Sequence, residues 1–319
     1  MAGALSGRVA LVAGATRGAG RGIAVALGEA GAVVYCTGRS SRLAPRPERP
    51  PDASPFELRG RPETIEETAE LVSEAGGVGV ALRIDHTDEI QVEALMARID
   101  RDHGHLDVLV NDVWGGDALT EWGVPFWRLD LAKGRTMLER GLLSHLITSR
   151  HAAALMVGAG SGLIVEVTDG ERLDYRGTLF YDLVKTSAIR AAFAMAEELR
   201  PHGVAALALT PGFLRSEAML EHFGVSAETW RDAVAFDLNF VHSETPRFVG
   251  RAVAALAADP EVMARSGRVW SSWQLARAYC FSDVDGARPD WGAHAARQPF
   301  GRAAREAHQR FLAAFDDDG

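Results

Sequence analysis

Tyr181 and Lys185 lie four residues apart in a segment patterned as a helix, so their side chains share one face, one turn from each other. A phenol at its ordinary pKa of about 10 is a poor acid–base group at neutral pH. An ammonium beside it stabilises the phenolate and lowers that value. Lysine is scarce in this chain: of 34 basic residues only Lys133 and Lys185 are lysines, which gives the pairing more weight. A second chemical signal is Gly14-Ala15-Thr16-Arg17-Gly18-Ala19-Gly20, set between an apolar run and a helical pattern. Glycines so placed let backbone N–H groups approach a pyrophosphate, with the positive end of a helix behind them. The pattern predicts a dinucleotide seated between Gly14 and Gly20. The next apolar run ends in Thr37-Gly38-Arg39, without the acidic residue that would accept from a ribose 2′-hydroxyl. Arg39, with Arg17 on the neighbouring turn, suits a 2′-phosphate, which favours NADP(H) as cofactor.

These groups need a scaffold that brings distant segments together. Short apolar runs alternate with helical patterns along the chain, the signature of βα units feeding a parallel sheet. Strands are expected at Val9–Ala13, Val33–Thr37, Gly79–Ile84, Val108–Asn111, Leu163–Val167 and Val204–Leu209, with Arg268–Ser271 as a short last one. Most are apolar without alternation, as strands covered on both faces should be. Helices are expected near 21–30, 64–75, 89–103, 131–157, 178–200, 246–257 and 302–315. The fold class is α/β, a doubly wound parallel sheet of Rossmann type in one domain spanning 1–280, with a C-terminal extension over 281–319. Six prolines make residues 40–62 an inserted loop, since proline ends helices and central strands. Residues 112–130 form an aromatic loop with Trp114, Trp122, Phe126 and Trp127, and 213–245 a small helical lid.

The composition narrows the function classes. Hydrophobic residues make up 47% and charged residues 24% of the 319, an ordinary globular balance. A net charge of −9 argues against nucleic-acid binding, which draws on basic patches. Cys36 and Cys280 form neither a disulfide framework nor a metal-ligand spacing, so no metal is expected. No apolar run approaches a membrane span, and Arg8 interrupts the one N-terminal stretch that resembles a signal peptide. A soluble cytoplasmic protein acting on a small molecule is the expectation.

The ordered set of features resembles the short-chain dehydrogenase/reductase family over roughly residues 7–272. The shared features are the G-x-x-x-G-x-G turn, Asp85 after the third strand, Asn111 after the fourth, Tyr181 with Lys185, and Pro211-Gly212 after the sixth. The resemblance implies a cofactor set of Gly14, Thr16, Arg17, Gly18, Ala19, Gly20, Arg39, Asp85, His86, Asn111, Lys185, Pro211, Gly212 and Ser216. Within it, Asp85 would contact the adenine, Asn111 would line the cofactor, Lys185 would hold the nicotinamide ribose, and Ser216 would stand near the carboxamide. It also implies a homodimer or homotetramer built on helices 131–157 and 178–200, where Ala152, Ala153, Ala154, Ala191, Ala192 and Ala194 permit close approach.

Three positions depart from the family pattern. Thr168 occupies the catalytic serine's place thirteen residues before the tyrosine, followed by Asp169. Asn111-Asp112-Val113-Trp114 replaces Asn-Asn-Ala-Gly, and Gly141 falls where a proton-relaying asparagine is usual. The expected mechanism is hydride transfer between NADP(H) and a carbonyl/alcohol carbon, with Tyr181 handling the proton, Lys185 tuning it and Thr168 polarising the substrate oxygen. Thr168 is preferred to Asp169 because an ionised carboxylate has no donor for a developing oxyanion. Trp114, Asp169 and Trp127 are the candidate substrate-pocket residues. A non-redox or specialised reaction and a catalytically silent NADP(H)-binding sensor remain as alternatives.

Overall fold

The computed structural model describes residues 3–45 and 47–315. Seven parallel strands form one sheet in the order β3-β2-β1-β4-β5-β6-β7. They are β1 Val9–Ala13, β2 Val33–Gly38, β3 Val78–Arg83, β4 Val108–Asn111, β5 Gly162–Val167, β6 Val204–Thr210 and β7 Val269–Ser271. Alternation along a strand sends successive side chains to opposite faces. Ala10 and Val12 therefore join one core with helices α1 (Gly18–Glu29), α2 (Ile65–Glu74) and α8 (Pro246–Ala258). Val9 and Leu11 join the other with α3 (Glu89–His103), α5 (Ser144–Ala159) and α6 (Leu179–Leu199). Both faces are covered, which is why the strands read as unbroken apolar runs.

Local chemistry starts the helices where the connections require it. The Thr64 hydroxyl accepts from the Glu67 N–H at 3.2 Å to open α2. The Asp88 carboxylate accepts from the Ile90 and Gln91 N–H groups at 3.0 and 3.3 Å to open α3. The strand order reverses between β1 and β4, so the carboxyl ends of these strands part to leave a crevice, the usual ligand position in such sheets.

Several expectations are adjusted. Helix α1 begins at Gly18, inside the glycine turn itself. The expected single helix 131–157 is divided into α4 (Leu131–Leu138), a π-helical turn over Glu139–Leu143, and α5. Such widened turns often accompany functional sites, and this one carries Gly141. Helices α9 (Ser272–Tyr279) and α10 (Trp291–Ala295) were not anticipated, and the tail helix α11 spans Pro299–Ala313. Among its described residues the 40–62 loop holds neither helix nor strand. Residues 213–245 carry α7 (Glu217–Phe223) and two 3-10 turns around a small core of Trp230, Ala233 and Phe240. Buried Arg215 ties this segment to the tail through Asp283, 3.2 Å away.

Candidate active site

The turn after β1 is shaped by what a side chain there would strike. Gly14 has φ +94°, and a Cβ on it would lie 2.5 Å from the Asp112 carbonyl oxygen. On Gly20 a Cβ would meet the Gly14 carbonyl at 2.3 Å. Gly18, by contrast, has nothing nearer than 3.9 Å. The turn thus packs against β4 on one side and opens on the other into a cleft of about 1130 Å³. Gly14, Thr16, Arg17, Gly18 and Ala19 line that cleft, whereas Gly20 acts from behind through its packing. The Gly18 N–H, in the first turn of α1, donates to Glu217 Oε2 of α7 at 2.8 Å. The Glu217 carboxylate thus takes the hydrogen bond that this helix N-terminus offers to an anion. The cradle fits a dinucleotide pyrophosphate.

At the end of β2 the basic groups are partly committed. Arg17 Nε lies 3.3 Å from buried Glu63, which also holds Arg61 at 2.8 Å. Arg17, expected from sequence to join Arg39 on a 2′-phosphate, thus carries a counter-ion that the end of the inserted loop brings to it. Its Nη2 still reaches Ser40 Oγ at 3.4 Å. Arg39 is half-exposed in the cleft, with Asp85 3.8 Å away. Asp85 accepts from both the N–H and the hydroxyl of Thr87, at 3.1 and 2.8 Å, so it caps a turn while lining the cleft. His86 bridges the Thr37 and Thr148 hydroxyls at 2.8 and 2.9 Å, and burial followed by the neighbouring His145 pushes its pKa down to about 3. It is a neutral linker in the cleft wall. Asn111 corrects the expectation that it lines the cofactor. It is fully buried, and its amide donates to Ser149 Oγ at 2.8 Å and Glu166 Oε1 at 2.7 Å. Its position in β4 directs the side chain toward α5, where Glu166 also holds His145 at 2.7 Å.

Tyr181 and Lys185 meet on one face of α6 at the cleft floor. The Tyr181 hydroxyl donates to Asp169 Oδ2 at 2.9 Å. Thr168, the expected partner, is turned away, and its hydroxyl donates to the Lys185 carbonyl at 2.7 Å. The chain leaves β5 at Val167, and Val167, Thr168 and Asp169 all border the cleft, but only Asp169 directs its polar group at Tyr181. A second correction concerns how the tyrosine is tuned. Burial, then the Asp169 carboxylate, hold the Tyr181 pKa well above its ordinary value. The Lys185 ammonium sits 4.2 Å over the Trp114 ring and 5.7 Å from the Tyr181 ring centroid. Burial lowers the lysine's own pKa, opposed by Asp169, Asp117 and Asp112.

The other departures from the family pattern fit together physically. The Trp114 ring lies edge-on to Tyr181 at 5.6 Å, with its indole N–H on Asp117 at 2.7 Å. A Cβ on residue 141 would sit 3.0 Å from that indole and 2.6 Å from Val184. Trp114 thus takes the space beside Gly141, where the relay asparagine would project. Asp112, two residues before Trp114, is half-buried beside Gly20 and lines the cleft, and desolvation raises its pKa to about 7.

Pro211, Gly212 and Ser216 line the cleft opposite α6. Ser216 also caps α7, accepting from the Met219 N–H at 3.3 Å. Beneath the turn, buried Glu244 accepts from the Gly212 N–H at 2.9 Å and the Ser272 hydroxyl at 2.6 Å, and burial pushes its pKa up to about 8. Trp127 corrects the last site expectation: it is exposed against Phe126 and does not line the cleft. Trp291 of the tail does line it, packed edge-on to Phe213. Sequence reasoning missed Glu63, Glu217, Glu244 and Trp291. Only Glu217 carried a local signal, as the acidic residue following the Ser216 helix cap.

Known proteins resemble the chain along most of its length. Residues 53–223, just over half of it, match the family model for short chain dehydrogenases. Human "Dehydrogenase/reductase SDR family member 1" is 35% identical over 291 residues, covering 90% of this chain and 86% of that protein. The cis-4-hydroxycyclohexanecarboxylate dehydrogenase of Sinomonas cyclohexanicum is 28% identical, over 80% of this chain and 91% of that one. Among solved structures, the hydroxysteroid dehydrogenase of Escherichia coli superposes with a TM-score of 0.63 at 21% identity, covering 84% of this chain and 96% of the other. That last likeness speaks for the fold alone. Shared over nine-tenths of its length with a human member, and carrying the tyrosine–lysine pair beside a dinucleotide cradle, this chain belongs to the short-chain dehydrogenase/reductase family.

Proposed function

We propose that the chain is an NADP(H)-dependent oxidoreductase acting between a carbonyl and an alcohol carbon of a small organic substrate. One observation carries the reading: the glycine cradle and the Tyr181–Lys185 pair open onto a single continuous cleft. Bound there, the nicotinamide would supply or accept the hydride. The chain's own groups do the rest. Tyr181 gives a proton to the substrate oxygen in reduction and takes it back in oxidation, turning its hydroxyl away from Asp169. Lys185 faces the ribose. The open side of the Gly14–Gly20 turn orients the pyrophosphate. Arg39, half-exposed at the end of β2 with Ser40 and Arg17 nearby, supports recognition of a 2′-phosphate. The Sinomonas relative, named as a dehydrogenase of a ring alcohol, is consistent with this substrate class.

No described helix is long and apolar enough to cross a membrane, in keeping with the proposed cytoplasmic setting. A homodimer or homotetramer is proposed on α5 and α6, whose outward Leu146, Leu183 and Phe193 are exposed in the single chain, as is Leu143 in the π-helical turn before α5. Ala152 and Ala192 pack inward on their own sheet instead. A monomeric mass in sedimentation would count against the assembly. The cofactor is tested by titration. NADPH should bind at least about tenfold more tightly than NADH, or about 1.4 kcal/mol, and Arg39→Asp should erase or invert the preference. Equal affinities in the parent would sink the NADP(H) assignment.

A further inference from the structure

We propose that this same centre also reduces protonated carbon–nitrogen double bonds, and that the Asp169 carboxylate is the group that selects them by accepting from the iminium N–H. The inference rests on the hydride-transfer reading above and adds the class of acceptor.

A carbonyl oxygen that receives a hydride on its carbon becomes an oxyanion and calls for hydrogen-bond donors. Around the Tyr181 hydroxyl this site is short of them. The Thr168 hydroxyl is spent on the Lys185 carbonyl at 2.7 Å. The Lys185 ammonium lies over Trp114. The group that does touch the tyrosine is Asp169, through an oxygen 2.9 Å from the phenol. A carboxylate accepts and does not donate, so an atom seated within reach of Tyr181 Oη would be met by an acceptor. An iminium N–H satisfies that acceptor, and its positive charge is favoured where an alkoxide would be opposed.

The surrounding charges lean the same way. Asp169, Asp117 and Asp112 all act on Lys185, and Asp117 lines the cleft, held by the Trp114 indole N–H at 2.7 Å. Asp169 and Asp117 here face Lys185 and Arg176, while Asp112 is held partly protonated by desolvation. The Arg176 guanidinium is already engaged with the Asp169 carbonyl at 2.6 Å, the Arg172 carbonyl at 2.6 Å and Asp182 at 3.4 Å. The Trp114 and Tyr181 rings bound the floor with aromatic surface suited to a flat unsaturated ring.

The step balances with the nicotinamide as reductant. The iminium carbon accepts a hydride, a C–H bond forms, and the C=N π pair becomes the nitrogen lone pair. The nicotinamide is oxidised by two electrons, and the N–H proton stays on the amine product. For a neutral imine, Tyr181 first delivers its proton to nitrogen, and solvent restores it through Asp169 at the open side of the cleft.

The test compares a dihydroisoquinoline, as cyclic imine, with α-tetralone, a ketone of the same size, both with NADPH. The parent should reduce the imine with kcat/KM at least about tenfold above the ketone. Asp169→Ser, which supplies a donor beside Tyr181, should reverse that order. A second readout needs no cofactor: quenching of tryptophan fluorescence should show the product amine binding about tenfold more tightly than the neutral alcohol, with the difference lost in Asp169→Ser. A parent that reduces tetralone and not the imine, or an unchanged ratio in Asp169→Ser, overturns the proposal and leaves the hydride-transfer reading standing. A chain that binds no NADPH and reduces neither compound overturns both.

Discussion

Replacing Glu217 with glutamine should loosen the empty protein and tighten its grip on NADPH. The Glu217 carboxylate accepts from the Gly18 N–H at 2.8 Å and lies 3.7 Å from Arg21 Nε, at the N-terminus of α1. A pyrophosphate seated on the glycine turn needs that amide, so Glu217 must let go before the cofactor is fully bound. A hydrogen bond to a charged group contributes about 1.5–3 kcal/mol, and a charge near a helix N-terminus about 0.3–1 kcal/mol when exposed. Glu217 is 28% exposed by side chain, which places its net contribution near the lower end, about 1 kcal/mol. Glutamine keeps the shape and a neutral acceptor but loses the charge. The empty chain should therefore melt about 2 °C lower. NADPH should bind about fivefold more tightly, since the lost contact no longer competes. Calorimetric titration and thermal melts of the same preparation read both effects. Weaker or unchanged NADPH binding in Glu217→Gln would refute the assignment of the Gly18 amide to the phosphate.

Tyr181→Phe keeps the ring against Trp114 and removes the proton-bearing oxygen, so kcat should fall by about two to four orders of magnitude. NADPH affinity by titration should barely change, and a fall of less than tenfold in rate would argue against the tyrosine as proton donor. Gly141→Asn, which would restore the family's usual residue, drives a Cβ to 2.6 Å from Val184 and 3.0 Å from Trp114. It should destabilise the fold by about 1–3 kcal/mol in urea unfolding, with partial recovery when combined with Trp114→Ala. Glu244, with its pKa raised from 4.5 to about 8, favours folding while protonated, so its contribution is complete below about pH 4.5 and is lost as pH rises through 8. Glu244→Gln should flatten the decline in melting temperature between pH 5 and pH 8, and an equally steep decline in the variant would contradict the burial argument.

Much of the architecture was readable in the chain because it depends on local pattern. Unbroken apolar runs such as Val9–Ala13 and Val204–Leu209, short and spaced by helical patterns, read as strands covered on both sides, and all seven were placed within about two residues. The glycine turn was legible as a local pattern too, since Gly14 takes φ +94° and a Cβ on Gly20 would strike the Gly14 carbonyl within the turn itself. The tyrosine–lysine spacing also needed only the period of a helix. What spacing could not specify was where each polar group finds its partner. Thr168 and Asp169 are adjacent in sequence and chemically plausible in the same role. The fold decides between them by turning the threonine onto the Lys185 carbonyl and the aspartate onto Tyr181. Arg17 was expected beside Arg39 on a 2′-phosphate, and Glu63, 46 positions away in the chain, makes it one side of an ion pair. Asn111 was expected in the cleft, and the register of β4 faces it into a buried network instead. The sequence by itself determined which elements form and which chemical groups reach the sheet's carboxyl edge, because backbone periodicity and steric exclusion are local. Only the tertiary structure decided which of those groups touch, because a hydrogen bond or ion pair depends on side-chain direction to within about an ångström, and that is settled by whatever packs alongside.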